Sequence, residues 1–176
     1  MDHFFYKDHN LIAEDVPIAE VADQFGTPCF IYSRAALEEN YGAYRDAFDD
    51  HSHLICFAVK ANSNLAVLNV LAKLGAGFDI VSGGELARVI AAGGDPAKVV
   101  YSGVAKRADE IEMALRANIA CFNVESAFEL DLIEQVAGSV GKPAPVSLRI
   151  NPCLLYASDA ADEGVGVDLG GGRIMK

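Results

Sequence analysis

Lys60 closes an apolar, β-favouring run at 53–59. A lysine at the C-terminal end of a strand points into the mouth of a β/α barrel, partly out of water. Loss of water disfavours the ammonium form and leaves a nucleophilic amine. Such an amine condenses with an aldehyde cofactor. A solvated lysine at a strand end is the plain alternative, and position alone favours it. Asp79 lies between Phe78 and Ile80, and Arg149 between Leu148 and Ile150. The acid belongs either to a site or to a solvated loop. A buried guanidinium needs an acid or a bound anion. Arg149 therefore reads equally as a site residue or as half of a structural ion pair.

Two glycine-bearing segments could meet an anion. Ser82-Gly83-Gly84-Glu85 leads into a helix, whose first backbone N–H groups can face a phosphate. An ordinary helix start explains it equally well. In Asp168-Leu169-Gly170-Gly171-Gly172, three successive glycines let main-chain N–H groups close around a phosphate. No metal site is expected: His3, His9, His51 and His53 have no ligand spacing with a supporting acid on one helix face.

The elements that must carry these residues alternate. Apolar runs at 29–32 and 53–59 read as strands, with a helix between them capped by Ser33 and reaching about residue 48. Leu37, Tyr41 and Tyr44 share one face of it. A helix over 64–74 sets Leu65, Leu68, Leu71 and Ala72 on one face and stops at Gly75. Strand 78–81 precedes helix 84–92, strand 99–101 precedes helix 107–117, and strand 120–123 precedes helix 126–137. A turn-rich stretch at 138–145 leads to strand 146–150. The strand ends near Lys60, Val81, Tyr101, Asn123 and Ile150 are 20 to 27 residues apart, the spacing of βα units in a parallel sheet. No G-x-G-x-x-G follows an early strand, so the closed (β/α)8 barrel is favoured over the open doubly wound sheet.

Composition narrows the partners. Hydrophobic residues make up 52% of the chain and the net charge is -11, which supports a packed core and disfavours nucleic acid and anionic membrane surfaces. No apolar run reaches the ~18 residues of a membrane helix, and residues 1–10 do not read as a signal peptide. A cytoplasmic protein is the expectation. Cys29, Cys56, Cys121 and Cys153 are far apart and read as buried, reduced thiols.

The run Phe57-Ala58-Val59-Lys60-Ala61-Asn62 closely resembles the cofactor-lysine motif of the barrel-type pyridoxal-phosphate decarboxylases, the diaminopimelate decarboxylase family in particular. The match continues through Ser63-Asn64-Leu65-Ala66-Val67-Leu68, through Gly77-Phe78-Asp79-Ile80-Val81-Ser82-Gly83-Gly84-Glu85-Leu86, and at Leu148-Arg149-Ile150-Asn151-Pro152. Glu14-Asp15-Val16-Pro17 and Phe25-Gly26-Thr27-Pro28 are similar to the same branch.

The resemblance implies pyridoxal 5'-phosphate as cofactor, with Lys60 as its lysine. Asp79 would be a catalytic acid near it, Arg149 would line the cofactor site, and Gly170, Gly171 and Gly172 would hold the phosphate. It implies decarboxylation of meso-diaminopimelate to L-lysine by a homodimer. Within the same fold a racemase is the alternative chemistry, and a non-catalytic barrel remnant that binds cofactor or a partner is the alternative of another class.

The fold implied is an α/β partial (β/α)8 TIM-type barrel, alanine-racemase-like, lacking the last strands and the C-terminal β-domain. A closed barrel takes about 250 residues, whereas five strands end by Ile150 and 26 residues follow. Residues 1–152 are expected to form the front of the barrel and 153–176 a divergent glycine-rich tail. In the family, the glycine segment lies several strands beyond the Arg-x-Asn-Pro motif. Here 15 residues separate Pro152 from Asp168, and the histidine-glycine-serine strand is missing. An incomplete barrel with open edges is expected to self-associate and to turn over poorly alone.

Overall fold

The evenly spaced apolar runs pair into one sheet in the computed structural model, which describes residues 3–150. The strands are β4 (Cys56–Ala58), β5 (Gly77–Ile80), β6 (Val99–Tyr101), β7 (Cys121–Val124) and β8 (Val146–Leu148), all parallel and in sequence order. Between them run α3 (Leu65–Lys73), α4 (Gly83–Ala91), α5 (Ala108–Ala117) and α6 (Ala127–Val140). Strand order that never reverses is the winding of a barrel, not of a doubly wound sheet.

Side chains alternate across a strand. Phe78, Ile80, Val99, Tyr101, Phe122 and Val124 all project to one face and are buried. They form a single cluster with Leu68 and Leu71 of α3, Leu86 and Val89 of α4, Ile111 and Leu115 of α5, and Ile133 of α6. Each such side chain contributes about 1.5–3 kcal/mol relative to exposure. The other face carries Ala58, Asp79, Val100 and Asn123, which is the interior side of a barrel wall.

Helix starts follow capping chemistry. The side chains of Asn64, Ser82 and Ser126 accept from Ala66 N, Glu85 N and Glu129 N at 2.8, 3.2 and 3.2 Å. Ser33 likewise caps α2 (Arg34–Ala47) through Ala36 N.

Several expectations need correction. Residues 29–32 form no strand: they have no ladder partner among the described residues, and Phe30 and Tyr32 are exposed. The strand expected at 53–59 shortens to Cys56–Ala58, because only those residues meet β5, and Lys60 falls in a 3-10 turn, Val59–Ala61. Leu65 is exposed rather than packed, since Val67 takes the buried position on α3, and Tyr44 of α2 is exposed as well. Helix α6 runs on through Gly138 and stops where Gly141 adopts φ +69°.

The chain also opens with an antiparallel sheet that was not anticipated, β1 (Phe4–Lys7), β2 (Asn10–Ala13) and β3 (Val16–Pro17), followed by α1 (Ile18–Phe25). Glu14 ties this unit to α2, its carboxylate accepting from Ser33 Oγ at 2.7 Å and Ala35 N at 2.9 Å. No described helix is long and apolar enough to cross a membrane. The boundary expected after residue 152 lies outside the described residues.

Candidate active site at the strand ends

Because the five strands are parallel, their C-terminal ends gather at one end of the sheet. Lys60, Asp79 and Arg149 are all found there. Asp79 sits opposite Ala58 of β4 and Val100 of β6, so Lys60 follows two residues beyond Asp79's neighbour. Lys60 itself is exposed, and no hydrogen bond or ion pair engages its Nζ among the described residues. The partial burial expected of it is absent. Among the described residues β4 is an edge strand of this sheet, flanked by β5 alone.

Asp79 is half-buried and not a loop acid. Its Oδ1 accepts from Ser102 Oγ at 2.6 Å, and Ser102 Oγ accepts from Asn123 Nδ2 at 3.0 Å. Ser102 follows β6 directly and is buried. One hydrogen-bond chain thus crosses the ends of β5, β6 and β7.

Arg149 follows β8 and is not buried, its side chain being 45% exposed. Its Nη1 donates to Glu125 Oε1 at 2.9 Å, and Glu125 also accepts from Gly103 N at 3.1 Å. An acid partner is therefore present although the guanidinium is not buried, and the exposure leaves further guanidinium donors open to an anion.

Beneath this row lies a buried cation. Lys106 Nζ donates to Gly103 O at 2.7 Å, to Asn123 O at 2.8 Å and to Glu129 Oε1. Its side chain is wholly out of solvent and that of Glu129 nearly so. Glu129 Oε2 accepts from Glu125 N at 3.0 Å. The loop after β6, the end of β7 and the start of α6 are thereby joined. The ammonium also stands 5.5 Å from the Tyr101 ring centroid. Burial, and then the neighbouring Glu110 carboxylate, push the Tyr101 phenol up.

The start of α4 uses up donors that an anion would need. Gly83 N donates to Glu110 Oε1 at 2.8 Å, Glu85 N to Ser82 Oγ, and Val81 N to Glu85 Oε2 at 2.8 Å. The ordinary helix start is the better account. A Cβ at Gly83 would come within 3.0 Å of the Glu110 side chain, which explains the glycine there.

The described cysteines are free, but the expectation that they are buried is wrong. Cys29 is exposed, and Cys56 and Cys121 are half-buried on the sheet's open interior face. Burial, and then the Asp79 charge, raise both of these thiols. No group of three or more metal-ligating side chains occurs among the described residues. Gly170, Gly171 and Gly172 lie outside the described residues, as does Cys153.

Ser102, Asn123, Glu125 and Lys106 were not singled out from the sequence. A polar residue one or two places beyond an apolar run, in step with inward-facing positions, was the available signal for the first three. Lys106 offered none.

A singly wound parallel sheet, with helices on one face and polar groups collected at the C-terminal strand ends, defines a segment of a β/α barrel with its active-site end. Residues 34–164 match the model of the pyridoxal-dependent decarboxylase pyridoxal binding domain, and the chain belongs to this family. It is 60% identical over 152 residues to a Pseudomonas aeruginosa protein named diaminopimelate decarboxylase, covering 86% of this chain and 37% of that protein. A Haemophilus influenzae protein of the same name is also 60% identical over 152 residues, with the same coverage. The chain thus spans about two fifths of the length of these curated relatives.

Among solved structures, diaminopimelate decarboxylase of M. jannaschii in co-complex with L-lysine superposes with a TM-score of 0.84. It shares 32% identity, over 98% of this chain and 44% of that one. The Helicobacter pylori enzyme complexed with L-lysine gives a TM-score of 0.74 at 45% identity, over 77% of this chain and 34% of that one.

The strand-end donor set fits an aldehyde cofactor bearing an anionic group. A primary amine without a partner among the described residues is present for the aldehyde, a guanidinium for the anion, and a fixed carboxylate lies between them in strand order.

Proposed function

We propose that this chain provides the cofactor-lysine part of a pyridoxal-phosphate-dependent decarboxylase that converts meso-diaminopimelate to L-lysine and carbon dioxide. The observation that carries the reading is Lys60, an exposed amine at a strand end without a partner among the described residues, with the hydrogen-bonded Asp79 carboxylate on the adjoining strand. When bound, the cofactor supplies an electron-withdrawing ring that accepts the electron pair left by departing carbon dioxide.

The chain's own side chains have separate tasks in this reading. Lys60 holds the cofactor covalently. Asp79 presents a fixed negative charge to the cofactor. Arg149 lines the anionic side of the site, and the glycines at 170–172 hold the phosphate. The substrate assignment draws on the names of the relatives and on the L-lysine in the H. pylori and M. jannaschii structures. A homodimer and a cytoplasmic setting belong to the same reading.

The test is chemical. The full chain is incubated with pyridoxal phosphate, treated with borohydride and mapped by peptide. The label is expected on Lys60, with little on Lys73, Lys98 or Lys106. Carbon dioxide release from carboxyl-labelled meso-diaminopimelate is measured in parallel. Label spread evenly over these lysines would sink the cofactor assignment.

A further inference from the structure

We propose that Ser102 is a positioning residue that fixes the Asp79 carboxylate at the strand ends, with Asn123 setting the direction of its hydroxyl. The inference rests on the reading of Lys60 and Asp79 as cofactor residues.

The direction of the chain follows from elementary donor counting. An ionised carboxylate only accepts, so the 2.6 Å contact must use the single Ser102 proton. The Ser102 oxygen then has only lone pairs left. Asn123 must present its N–H₂ to it, as the 3.0 Å contact from Nδ2 shows. A lone serine hydroxyl rotates freely, whereas this one has a single satisfying orientation.

The backbone makes the arrangement rigid. Ser102 N donates to Ile80 O at 2.8 Å, which locks the serine to the residue after Asp79. Gly103 takes φ +99° immediately afterwards, so the chain can turn away just past the serine. Asn123 is held from behind, because its backbone carbonyl accepts from the buried Lys106 ammonium at 2.8 Å. Ser102 is 8% exposed, so water competes poorly for either bond. The result is a carboxylate with one oxygen committed and the other directed by that commitment. Charge-assisted bonds of this type are the strong ones.

The test uses the full chain and its reaction with pyridoxal phosphate. The cofactor concentration giving half-maximal borohydride-fixed label on Lys60 is measured for wild type, Ser102→Ala, Ser102→Thr and Asn123→Ala. Urea melting midpoints are taken alongside. Ser102→Ala is expected to raise the half-saturating concentration about tenfold, at the lower end of what a hydrogen bond to a charged group contributes. Ser102→Thr keeps the hydroxyl and should return to within about threefold of wild type. Asn123→Ala frees the hydroxyl to rotate and should lie between them, which also carries the test if Ser102→Ala fails to fold. Wild-type saturation by Ser102→Ala and Asn123→Ala, with Lys60 still selectively labelled, would overturn this inference alone. Unselective labelling of the wild type would overturn the cofactor reading and this inference with it.

Discussion

Lys106 and Glu129 form an ion pair with both side chains withdrawn from solvent, and all three ammonium donors of the lysine are engaged. The pair is an internal brace between the loop after β6, the end of β7 and the start of α6. Taking two charges out of water is costly, and removing one partner leaves the other buried alone. Lys106→Met should therefore destabilise by about 3–5 kcal/mol, while Lys106→Met with Glu129→Leu should recover part of that loss. Urea unfolding of both variants checks this. A single variant within 1 kcal/mol of wild type, roughly the scale of an exposed pair, would mean the brace does not hold the loops.

This brace marks the limit of what the residues disclosed on their own. Short apolar runs ending near Val81 and Asn123, spaced 20 to 27 residues from their neighbours, made the βα units readable, and strands Gly77–Ile80 and Cys121–Val124 fall on them because local pattern and global packing agree there. The hairpin at the start was not readable. Its turn places Asp8 and His9 at φ 49° and 65°, a two-residue geometry usually signalled by Asn-Gly or Asp-Gly. Helix α1 starts at Ile18 after Pro17, which offers no side-chain cap, so its apolar spacing at Ile18, Val21, Ala22 and Phe25 stood without a start signal. Lys60, Asp79 and Arg149 were legible as polar residues on apolar runs. Ser102 and Asn123, which carry the Asp79 contact across β6 and β7, were not, because a hydrogen-bond chain across three strands depends on register, which no single strand encodes.

Lys60 should be dispensable for folding. It is exposed and unpaired among the described residues, so Lys60→Arg should change stability by no more than about 0.5 kcal/mol. A guanidinium does not condense with the cofactor aldehyde as an amine does, so borohydride-fixed label at this position should vanish. Melting and peptide mapping of the same preparation separate the two effects. Full label elsewhere at wild-type cofactor concentrations would remove Lys60 from the site.

Acid should loosen the N-terminal sheet before the barrel strands. The Ser33 hydroxyl, and then the Ala35 N–H, hold the Glu14 carboxyl below the usual carboxylate range. A lowered folded-state value means the stabilisation is present above the unfolded value and is lost as pH falls through the folded one. Protection of the Ala35 N–H, its exchange measured against the intrinsic rate at each pH, should fall over that acidic window, and Glu14→Gln should weaken the pH dependence. Unchanged Ala35 protection through the titration would show that the tie does not matter.

The cysteines should separate by reactivity. Burial and the Asp79 charge raise Cys56 and Cys121, so less thiolate is present at a given pH. The thiolate is the nucleophile. Exposed Cys29 should alkylate first, with Cys56 and Cys121 slower and their lag shrinking as alkali ionises them. Mass-spectrometric time courses for the three peptides read this directly. Cys121 modified as fast as Cys29 would indicate that the interior face opens freely to solvent.

The open side of the sheet should drive association. On β8, Val146 and Leu148 are in register with the buried Phe122 and Val124, so they point toward the helix-covered face. Yet they are 44% and 51% exposed, because among the described residues no helix follows to cover them. Leu130, Ile133, Ala137 and Val146 line the apolar trough left between α6 and this strand. A parallel edge with an uncovered apolar face is the arrangement that natural sheets avoid or protect. The isolated chain is therefore expected to elute from size exclusion as self-associated species at micromolar concentration. Leu148→Lys adds the charge that protects natural edges, and it should shift the distribution toward monomer with little loss of secondary structure, since the replaced side chain has few packing contacts to lose. Light scattering of both proteins over a concentration series measures the change. Wild-type chain that stays monomeric throughout would show that the trough and edge are covered within the chain itself.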